Sequence, residues 1–506
     1  TLRTDLAGVR LPDGMAAPKE LLPASSLSFQ GLRSTYRRDG FGAELVAVMD
    51  DDPVTLPPPT ANGDAGDNGN DTHARDQGDA RNPFTAATPP PPPARRHGRK
   101  PPAWSEMPSP NLTVLFRYAG DDLASVLATR EVQVSVHDPY VDSLVTLHGQ
   151  QVPLAANFTA GYGLWLARSG FSRQSLRTLF GRAQGIEHPH LYLMQPYDPD
   201  RRIILMLHGL ASSPEAWVNV ANELQGDEAL RREFQIWQVY YPTNMPVVFN
   251  HAQIRRLVSG ALAHFDPQQQ AAASRDIVLV GHSMGGMIAR LMVSSSDQQL
   301  WDALLGEFDI PPDRLARIRP RLDPMLRFQP FPGVERAVFI ATPHRGTAVA
   351  GHRVGRWISR LVRLPLTLLE NFDDVLQTLA GATPKSADGK PVGGRPSDSI
   401  PNSIDNLDGS DPFVQAAADL PISPAVRYHS IIAQLKPGTP LETSDDGLVP
   451  YPSAHLAGAL SEKVIVSGHS VQETAPAILE LRRILHEDLR DEDHDAAASQ
   501  DVPRQP

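Results

Sequence analysis

The sequence has 506 residues, of which 41% are hydrophobic, and its 47 lysines and arginines against 58 aspartates and glutamates leave a net charge of −11. This length exceeds one minimal domain, and the acidic balance argues against nucleic-acid binding through phosphate contacts. Because the chain has no cysteine, disulfides, thiolate metal sites and a cysteine nucleophile are excluded. No apolar run reaches the ~18 residues of a membrane-spanning helix.

The N-terminal part alternates between foldable and proline-rich sequence. Strand composition at Phe41 to Val48, Leu112 to Tyr118 and Val132 to Val136 predicts a small β-rich module over residues 1–50 and 111–190. Between these parts, residues 51–110 hold 14 of the 48 prolines. Such a composition has too little apolar surface to offset the entropy of ordering. We therefore expect a disordered insertion, with an SH3-type proline-rich ligand as the alternative.

From Leu191 onward, short apolar runs alternate with longer helical segments. This pattern is typical of a parallel sheet that is covered by helices on both faces. The sequence therefore predicts an α/β domain over residues 191–486, followed by an acidic disordered tail at 487–506. Functional residues should lie at the C-terminal edge of the sheet, where the loops gather. The expected strands are Ile203–Leu207, Ile236–Tyr240, Ile277–Val280, Ala337–Ile340, His429–Ala433 and Val464–Val466.

A candidate nucleophile follows the strand at 277–280. The chain continues as Gly281-His282-Ser283-Met284-Gly285, and a helix-forming segment comes next. Strand, G-x-S-x-G and helix together are the context of a nucleophile elbow, in which the small residues let backbone pass close to backbone. Ser283 is the predicted nucleophile, and the alternative is an ordinary strand-to-helix turn.

Two backbone amides are candidates for an oxyanion hole. The strand at 202–207 ends in His208-Gly209-Leu210, which should place a backbone N–H beside the serine. We predict the amides of Leu210 and Met284 as the two donors to a tetrahedral oxyanion. His208 itself is predicted to be structural.

A carboxylate should follow the serine in the chain and precede the histidine. The loop Thr443-Ser444-Asp445-Asp446-Gly447 comes after the strand at 429–433. A carboxylate on a turn just past a strand is well placed to orient an imidazole. Asp446 is the predicted acid, and Asp445 remains the alternative.

The predicted base is His469, on the loop after the strand at 464–466. Among the other histidines, His282 lies inside the elbow, His344 follows the strand at 337–340, and His455 is near the acid loop. The chain order favours His469 over these three. The histidines and acids show no metal-ligand spacing, so we predict no catalytic metal and no other cofactor.

Five strings of the sequence resemble the α/β-hydrolase superfamily: LMLHGLASSPEAW, VLVGHSMGGMIAR, VFIATPHRGT, SDDGLVPYPSAH and SGHSVQETAPAI. More narrowly, they are similar to a bacterial lipase/esterase-like group related to the PGAP1-type hydrolases. The resemblance covers residues 190–486 most strongly. It implies a triad of Ser283, Asp446 and His469, with an oxyanion hole at Leu210 and Met284. The Asp445-Asp446 doublet leaves the acid open between two neighbours.

Residues 347–420 are longer than a simple crossover requires. Arginines recur at helical spacing there, and apolar residues including Trp357, Ile358 and Leu361 occupy the opposite face. We expect a helical cap whose apolar face lines an acyl pocket and whose basic face meets anionic lipid head groups. The alternative is a surface helix with a solvated charged face.

These features predict a serine hydrolase that cleaves carboxylic esters of lipids or other hydrophobic molecules through an acyl-serine intermediate. Acyl transfer by the same triad and an inactive binding protein remain alternatives. The start at Thr1 indicates processing or trimming. With the lack of cysteine, it favours export in a bacterium, to the periplasm or as an outer-membrane lipoprotein, over a cytoplasmic location. Peripheral contact with a membrane is expected, and binding of nucleic acid is not.

Overall fold

A computed structural model describes residues 2–5, 9–10, 12, 18–29, 31–49, 102–120, 122–169, 188–347, 383–384, 409 and 411–500. The predicted proline-rich insertion falls largely outside these ranges, as do all three cap residues named from the sequence. Among the described residues, none of the helices combines the length and the apolar character needed to cross a membrane.

An eight-stranded sheet forms the centre of the fold. Its strands are β5 (Trp104–Glu106), β11 (His190–Leu193), β12 (Arg202–Leu207), β13 (Phe234–Tyr240), β14 (Ile277–His282), β16 (Val334–Ile340), β18 (Arg427–Gln434) and β19 (Ser461–Val466). They lie in the order β19-β18-β16-β14-β12-β13-β11-β5. Neighbours pair in parallel except β11 and β13, which are antiparallel. The predicted α/β fold with a mostly parallel central sheet is confirmed.

The hydrophobic pattern of the strands explains why this sheet is buried on both faces. Along β12, Ile203 and Leu205 belong to one apolar cluster, whereas Ile204 and Met206 belong to another. Successive side chains of a strand point to opposite faces, so a continuous apolar run fills two cores at once. The strands predicted from such runs are all present, with each end within three residues of its expected position.

Helices cover both faces of the sheet. The helices are α1 (Leu123–Ala128), α2 (Ala160–Ser169), α3 (Val218–Gly226), α4 (Glu228–Glu233), α5 (Val247–Phe265), α6 (Ala272–Arg275), α7 (Met284–Met292), α8 (Gln299–Glu307), α9 (Pro312–Leu326), α10 (Pro412–Ala418), α11 (Tyr451–Ala454) and α12 (Ala475–Gln500). The first core contains side chains of α5, α7, α8, α9 and α10, and the second contains side chains of α2, α3, α4 and α12.

A second, five-stranded sheet is built from the N-terminal residues. The strands outside the central sheet are β1 (Leu2–Asp5), β2 (Pro18–Pro23), β3 (Arg37–Arg38), β4 (Ala43–Met49), β6 (Asn111–Tyr118), β7 (Val132–His137), β8 (Leu144–Leu147), β9 (Gln150–Pro153), β10 (Ala156–Asn157), β15 (Phe308–Asp309) and β17 (Thr383–Pro384). The N-terminal sheet has the order β1-β7-β6-β4-β2. Its own small core contains Ala47, Leu112, Val114 and Val134. The three strands predicted there are confirmed as β4, β6 and β7.

The predicted end of the insertion at residue 110 is wrong. Trp104–Glu106 form the edge strand β5, which pairs in parallel with Leu191–Leu193 of the central sheet. Met107 is buried and donates its N–H to the carbonyl of Leu193 at 2.8 Å. The prolines at 101, 102, 108 and 110 led us to assign this stretch to the insertion. A short edge strand nevertheless tolerates neighbouring prolines.

The prediction that residues 487–506 form a disordered tail is wrong as far as residue 500. The last helix, α12, runs from Ala475 to Gln500. Asp488 is buried and its carboxylate contacts Arg336 and Arg202. At least one acid of this segment therefore pairs with arginines of the central sheet and is not a solvated tail residue.

Arg336 is the centre of a buried ionic network at the N-terminal edge of the sheet. The residue is 0% exposed, and its guanidinium donates to Asp488 at 2.5 Å and to Asp491 at 2.8 Å. Its third contact is Nε2 of His429, at 2.7 Å. Burial and the charge of Arg336 lower the pKa of His429 to about 4, which keeps this imidazole a neutral acceptor. The network joins β16 and β18 to α12.

Replacement of Arg336 should therefore destabilise the fold strongly. Arg336→Met removes one of the two arginine partners of the buried Asp488 and leaves His429 without its donor. We expect the free energy of unfolding to fall by about 3 kcal/mol. The matched control is Arg483→Gln, because the more exposed Arg483 contacts Glu480 and Glu487 on the surface of α12. Such surface pairs are worth about 1 kcal/mol or less. Urea unfolding, monitored by circular dichroism, measures the difference. Equal unfolding midpoints for the two variants would contradict the claim that the network stabilises the fold.

Candidate active site

Ser283 sits at a sharp turn between β14 and α7. Its backbone has φ 55° and ψ −122°, a left-handed conformation that is strained for a residue with a side chain. The turn is tight because backbone passes against backbone. A Cβ atom at Gly281 would lie 2.6 Å from the carbonyl oxygen of Gly285, and one at Gly285 would lie 2.2 Å from that of Leu207. The motif therefore has glycine where no side chain fits.

Adding one methyl group should disrupt this turn. We expect Gly285→Ala to lower the free energy of unfolding by about 1–3 kcal/mol or more, because the new carbon overlaps the backbone of β12. The matched control is Gly306→Ala in α8, where an added Cβ meets no atom within 4 Å. There the stability should stay constant or rise by up to about 1 kcal/mol. Thermal unfolding of both variants measures the difference, and a Gly285→Ala protein as stable as the parent would contradict this close packing of β12 against α7.

The structure brings together the three side chains that the sequence predicted as a triad. Nε2 of His469 lies 2.8 Å from Oγ of Ser283, and Nδ1 lies 2.8 Å from Oδ2 of Asp446. An ionised carboxylate only accepts hydrogen bonds, so Nδ1 carries the hydrogen and Nε2 is free to accept the serine proton. The imidazole is 17% exposed and the carboxylate 2%. This arrangement can move a proton between the hydroxyl and the imidazole.

The two neighbouring aspartates have different hydrogen-bond partners because of the turn on which they lie. Oδ1 of Asp446 accepts the N–H groups of Leu448 at 2.9 Å and Val449 at 2.7 Å, which leaves Oδ2 for the imidazole. Asp445 is exposed, and its Oδ1 accepts the N–H of Gly447 at 2.7 Å. Of the two carboxylates, Asp446 is the one that contacts His469.

His282 has a position that the sequence did not predict. Its Nε2 donates to the backbone carbonyl of His469 at 2.9 Å, and the two rings lie 5.0 Å apart. Burial lowers the pKa of His282 to about 3, so the side chain stays neutral. The residue next to the serine therefore holds the loop that carries the imidazole.

The loop after β12 passes directly against the serine. A Cβ at Gly209 would lie 3.1 Å from Cβ of Ser283. The next turn is held by a hydrogen bond from the N–H of Ala211 to Oγ1 of Thr243, at 3.2 Å. Leu210 lies between these two points. Met284 is the first residue of α7, and the first amides of a helix have no acceptor within the helix. Of the two residues predicted for the oxyanion hole, Met284 directly follows Ser283, and Leu210 directly follows the glycine that lies against it.

Three other histidines considered from the sequence, His208, His344 and His455, lie outside the hydrogen-bonded triad. His208 stacks on Tyr241 at 4.3 Å, and its Nδ1 donates to the carbonyl of Gly209 at 3.0 Å. Burial lowers the pKa of His208 to about 4. His344 is buried and packs edge to face against Phe339, with 5.0 Å between the ring centroids. His455 is exposed and contacts Glu462 at 2.6 Å.

The buried histidines predict a loss of stability in acid. Unfolded His208 and His282 take up a proton near pH 6.5, whereas in the folded protein they do so only near pH 4 and 3. Between these values unfolding takes up protons, so a fall in pH favours the unfolded state. Each such histidine should remove about 2 kcal/mol of stability by pH 5. Asp138, whose burial raises its pKa to about 6, opposes this trend.

Urea unfolding midpoints between pH 7.5 and 5 measure this effect. We expect the midpoint to fall steadily with pH, and to fall less steeply in His282→Asn. A midpoint that is independent of pH in the parent protein would contradict neutral burial of these imidazoles.

The predicted cap can be placed only at its ends. Thr347 lies at the start of the interval, and its Oγ1 donates to the carbonyl of Leu448. At the other end, Val414 and Ala417 of α10 are buried against the first core. Trp357, Ile358 and Leu361 lie outside the described residues. In the ranges that the structure describes, no group of three or more histidines and acids is arranged to hold a metal ion.

The model of the alpha/beta hydrolase family matches residues 204–480, more than half of the sequence. The chain belongs to this family, and the predicted superfamily is confirmed. The narrower resemblance to PGAP1-type hydrolases stays a prediction. None of the curated proteins compared with this sequence matches it.

Several solved structures are similar to this chain at low identity. The mature lipase BlEst2 of Bacillus licheniformis is 14% identical, with a TM-score of 0.34, over 58% of this chain and 97% of that one. The lipase of Staphylococcus hyicus is 14% identical, with a TM-score of 0.35, over 60% and 98%. Est2, a Thermogutta terrifontis esterase with bound butyrate, is 13% identical, with a TM-score of 0.31, over 62% and 92%. Scores below 0.5 carry no functional inference.

Proposed function

We propose that this protein hydrolyses carboxylic esters through an acyl-serine intermediate. The observation that supports the proposal is the chain of two 2.8 Å hydrogen bonds from Ser283 through His469 to Asp446. A serine hydroxyl is a weak nucleophile until a base accepts its proton. The chain of contacts supplies that base and a carboxylate that orients it.

The first half of the proposed reaction forms the acyl enzyme. Oγ of Ser283 attacks the carbonyl carbon of the ester while Nε2 of His469 takes the hydroxyl proton. The carbonyl oxygen becomes an oxyanion, which accepts hydrogen bonds from the amides of Leu210 and Met284. The imidazolium then returns the proton to the leaving alcohol oxygen as its bond to carbon breaks. Asp446 stabilises the imidazolium throughout.

The second half releases the acid. Water gives a proton to Nε2 of His469 as its oxygen attacks the acyl carbon. The tetrahedral intermediate collapses, the bond from carbon to Oγ breaks, and the proton passes back to Ser283. No other group is needed to balance these steps. Replacement of water by an alcohol would give a new ester, which is the acyl-transfer alternative.

A hydrophobic acyl group suits the exposed surface next to this site. Leu435 is 47% exposed and Leu448 is 41% exposed. Leu448 follows the acid on its loop, and the side chain of Leu435 lies 3.6 Å from the position of a Cβ at Gly447 and 3.9 Å from that at Gly468. Exposed apolar residues beside a reactive group are typical of sites that bind apolar ligands. Lipids and other hydrophobic esters are therefore the proposed substrates. A membrane-facing cap and export to the periplasm stay predictions.

Steady-state hydrolysis of p-nitrophenyl esters of increasing chain length tests the proposal. We expect Ser283→Ala to lose activity toward every ester, and Asp446→Asn to lower kcat by about 10³–10⁴-fold because the imidazole loses its orienting carboxylate. Asp445→Asn is the matched control, and it should retain kcat within about threefold, since surface changes away from a site have small effects.

Three outcomes would contradict the assignment. Full activity in Ser283→Ala would exclude this serine as the nucleophile. Equal losses in the two aspartate variants would remove Asp446 from its proposed role. A new ester formed faster than the free acid, in the presence of an added alcohol, would replace hydrolysis by acyl transfer.

A further inference from the structure

A cavity of about 380 Å³ lies at the junction of the loop after β7, the segment before β12, and α4. Its wall is rich in arginine, although the whole chain is acidic. Three acidic residues share this wall, so the lining charges sum to +2. The charged lining residues are Arg10, Arg38, Arg201, Arg231 and Arg232, with Asp198, Asp200 and Glu233.

Three of the five arginines have a carboxylate partner. Asp198 contacts Arg10 at 2.6 Å and Arg201 at 3.2 Å. Arg232 is exposed and contacts Glu228 at 2.5 Å along α4. Each of these three arginines thus contacts a carboxylate, although Arg10 and Arg201 share one.

Arg38 and Arg231 differ from the others. In the described part of the chain, their guanidinium groups bond to backbone carbonyls and to no carboxylate. Arg38 donates through Nε to Leu154 at 2.6 Å, and through Nη2 to Asp142 at 2.6 Å and Pro139 at 3.3 Å. Arg231 donates through Nη1 to Gln225 at 2.6 Å. Both lie against the ring of Phe158, with the guanidinium carbon of Arg231 at 3.6 Å from its centroid and that of Arg38 at 5.7 Å. Two positive charges therefore share one aromatic ring.

This arrangement is costly in the absence of an anion. Arg231 is only 7% exposed, and a charge removed from water needs a partner of opposite sign. Burial lowers the pKa of Arg231 to about 10, and the neighbouring charge of Arg38 acts in the same direction. The nearby acids have other contacts: Asp142 binds His137 at 2.9 Å, and Asp138 accepts the N–H of Tyr140 at 2.9 Å. Glu228, whose charge acts on both arginines, bonds to Arg232 at 2.5 Å. The two other acids of the wall, Asp200 and Glu233, are exposed.

We propose that this cavity binds a phosphate group, with Arg38 and Arg231 as its direct ligands. These carbonyl bonds do not use Nη1 of Arg38 or the Nε and Nη2 pair of Arg231. Guanidinium N–H groups match the oxygens of phosphate, and stacking on Phe158 fixes the plane of the Arg231 guanidinium. The cavity also leaves room for an organic part of the ligand. The phosphate group belongs either to a small soluble ester or to a lipid head group.

The phosphate site is separate from the candidate active site. Arg201 directly precedes β12, whose opposite end leads to Gly209 and Ser283. A strand of this length spans about 20 Å. Phosphate binding can therefore be measured without reference to hydrolysis, and the proposal does not rest on the proposed function.

Isothermal titration calorimetry of the full chain with sodium phosphate and with glycerol 3-phosphate, at constant ionic strength, tests the site. We expect saturable binding of at least one probe, weakened about tenfold or more in Arg38→Gln and in Arg231→Lys, because each loses charge-assisted hydrogen bonds. Arg483→Gln is the control outside the cavity and should bind within about threefold of the parent, since its charge is paired with Glu480 and Glu487 on the surface of α12. Circular dichroism checks that each variant is folded.

Flotation with vesicles distinguishes the two sources of the phosphate group. Binding to vesicles that contain phosphatidic acid, but not to pure phosphatidylcholine, with dependence on Arg38, supports a lipid head group. Binding of the soluble probes alone supports a soluble ester. The proposal is overturned if the parent chain binds no probe, or if folded Arg38→Gln binds all of them as tightly as the parent does.

Discussion

The hydrogen bond between Nε2 of His469 and Oγ of Ser283 is the contact on which the candidate active site depends. It joins residues 186 positions apart in the sequence, and neither residue could find the other without the sheet. Parallel strands end at one edge, so the loops after β14, β18 and β19 meet there. The apolar runs that fill two cores therefore also determine where the hydroxyl, the carboxylate and the imidazole come together.

Rigid packing keeps this contact in place. Ser283 has a strained backbone, and such strain persists only when the surroundings determine it fully. The surroundings of Ser283 are the backbones of β12 and α7, which approach so closely at Gly285 that no Cβ fits. On the other side, His282 holds the carbonyl of His469. The same two neighbouring residues thus supply the hydroxyl and secure the loop of its partner.

Local patterns in the sequence predicted the sheet, the elbow and the three side chains around it, because short-range signals such as apolar runs and glycine spacing determine these features. Contacts that depend on distant residues were not predictable in this way. The ionic network of Arg336 holds Asp488 and Asp491 of the acidic segment within helix α12. The pairing of β5 with β11 likewise stabilises a strand whose neighbours include prolines. The choice between Asp445 and Asp446 likewise required the turn geometry, since adjacent carboxylates look alike in sequence.

Labelling with a fluorophosphonate, followed by mass spectrometry of the digested protein, tests the central claim most directly. Such a probe reacts with a serine whose proton is taken by a neighbouring base. We expect one adduct, on the peptide that contains Ser283, and its loss in His469→Ala. An adduct on a different serine, or the same rate of labelling without the imidazole, would contradict activation of Ser283 by His469.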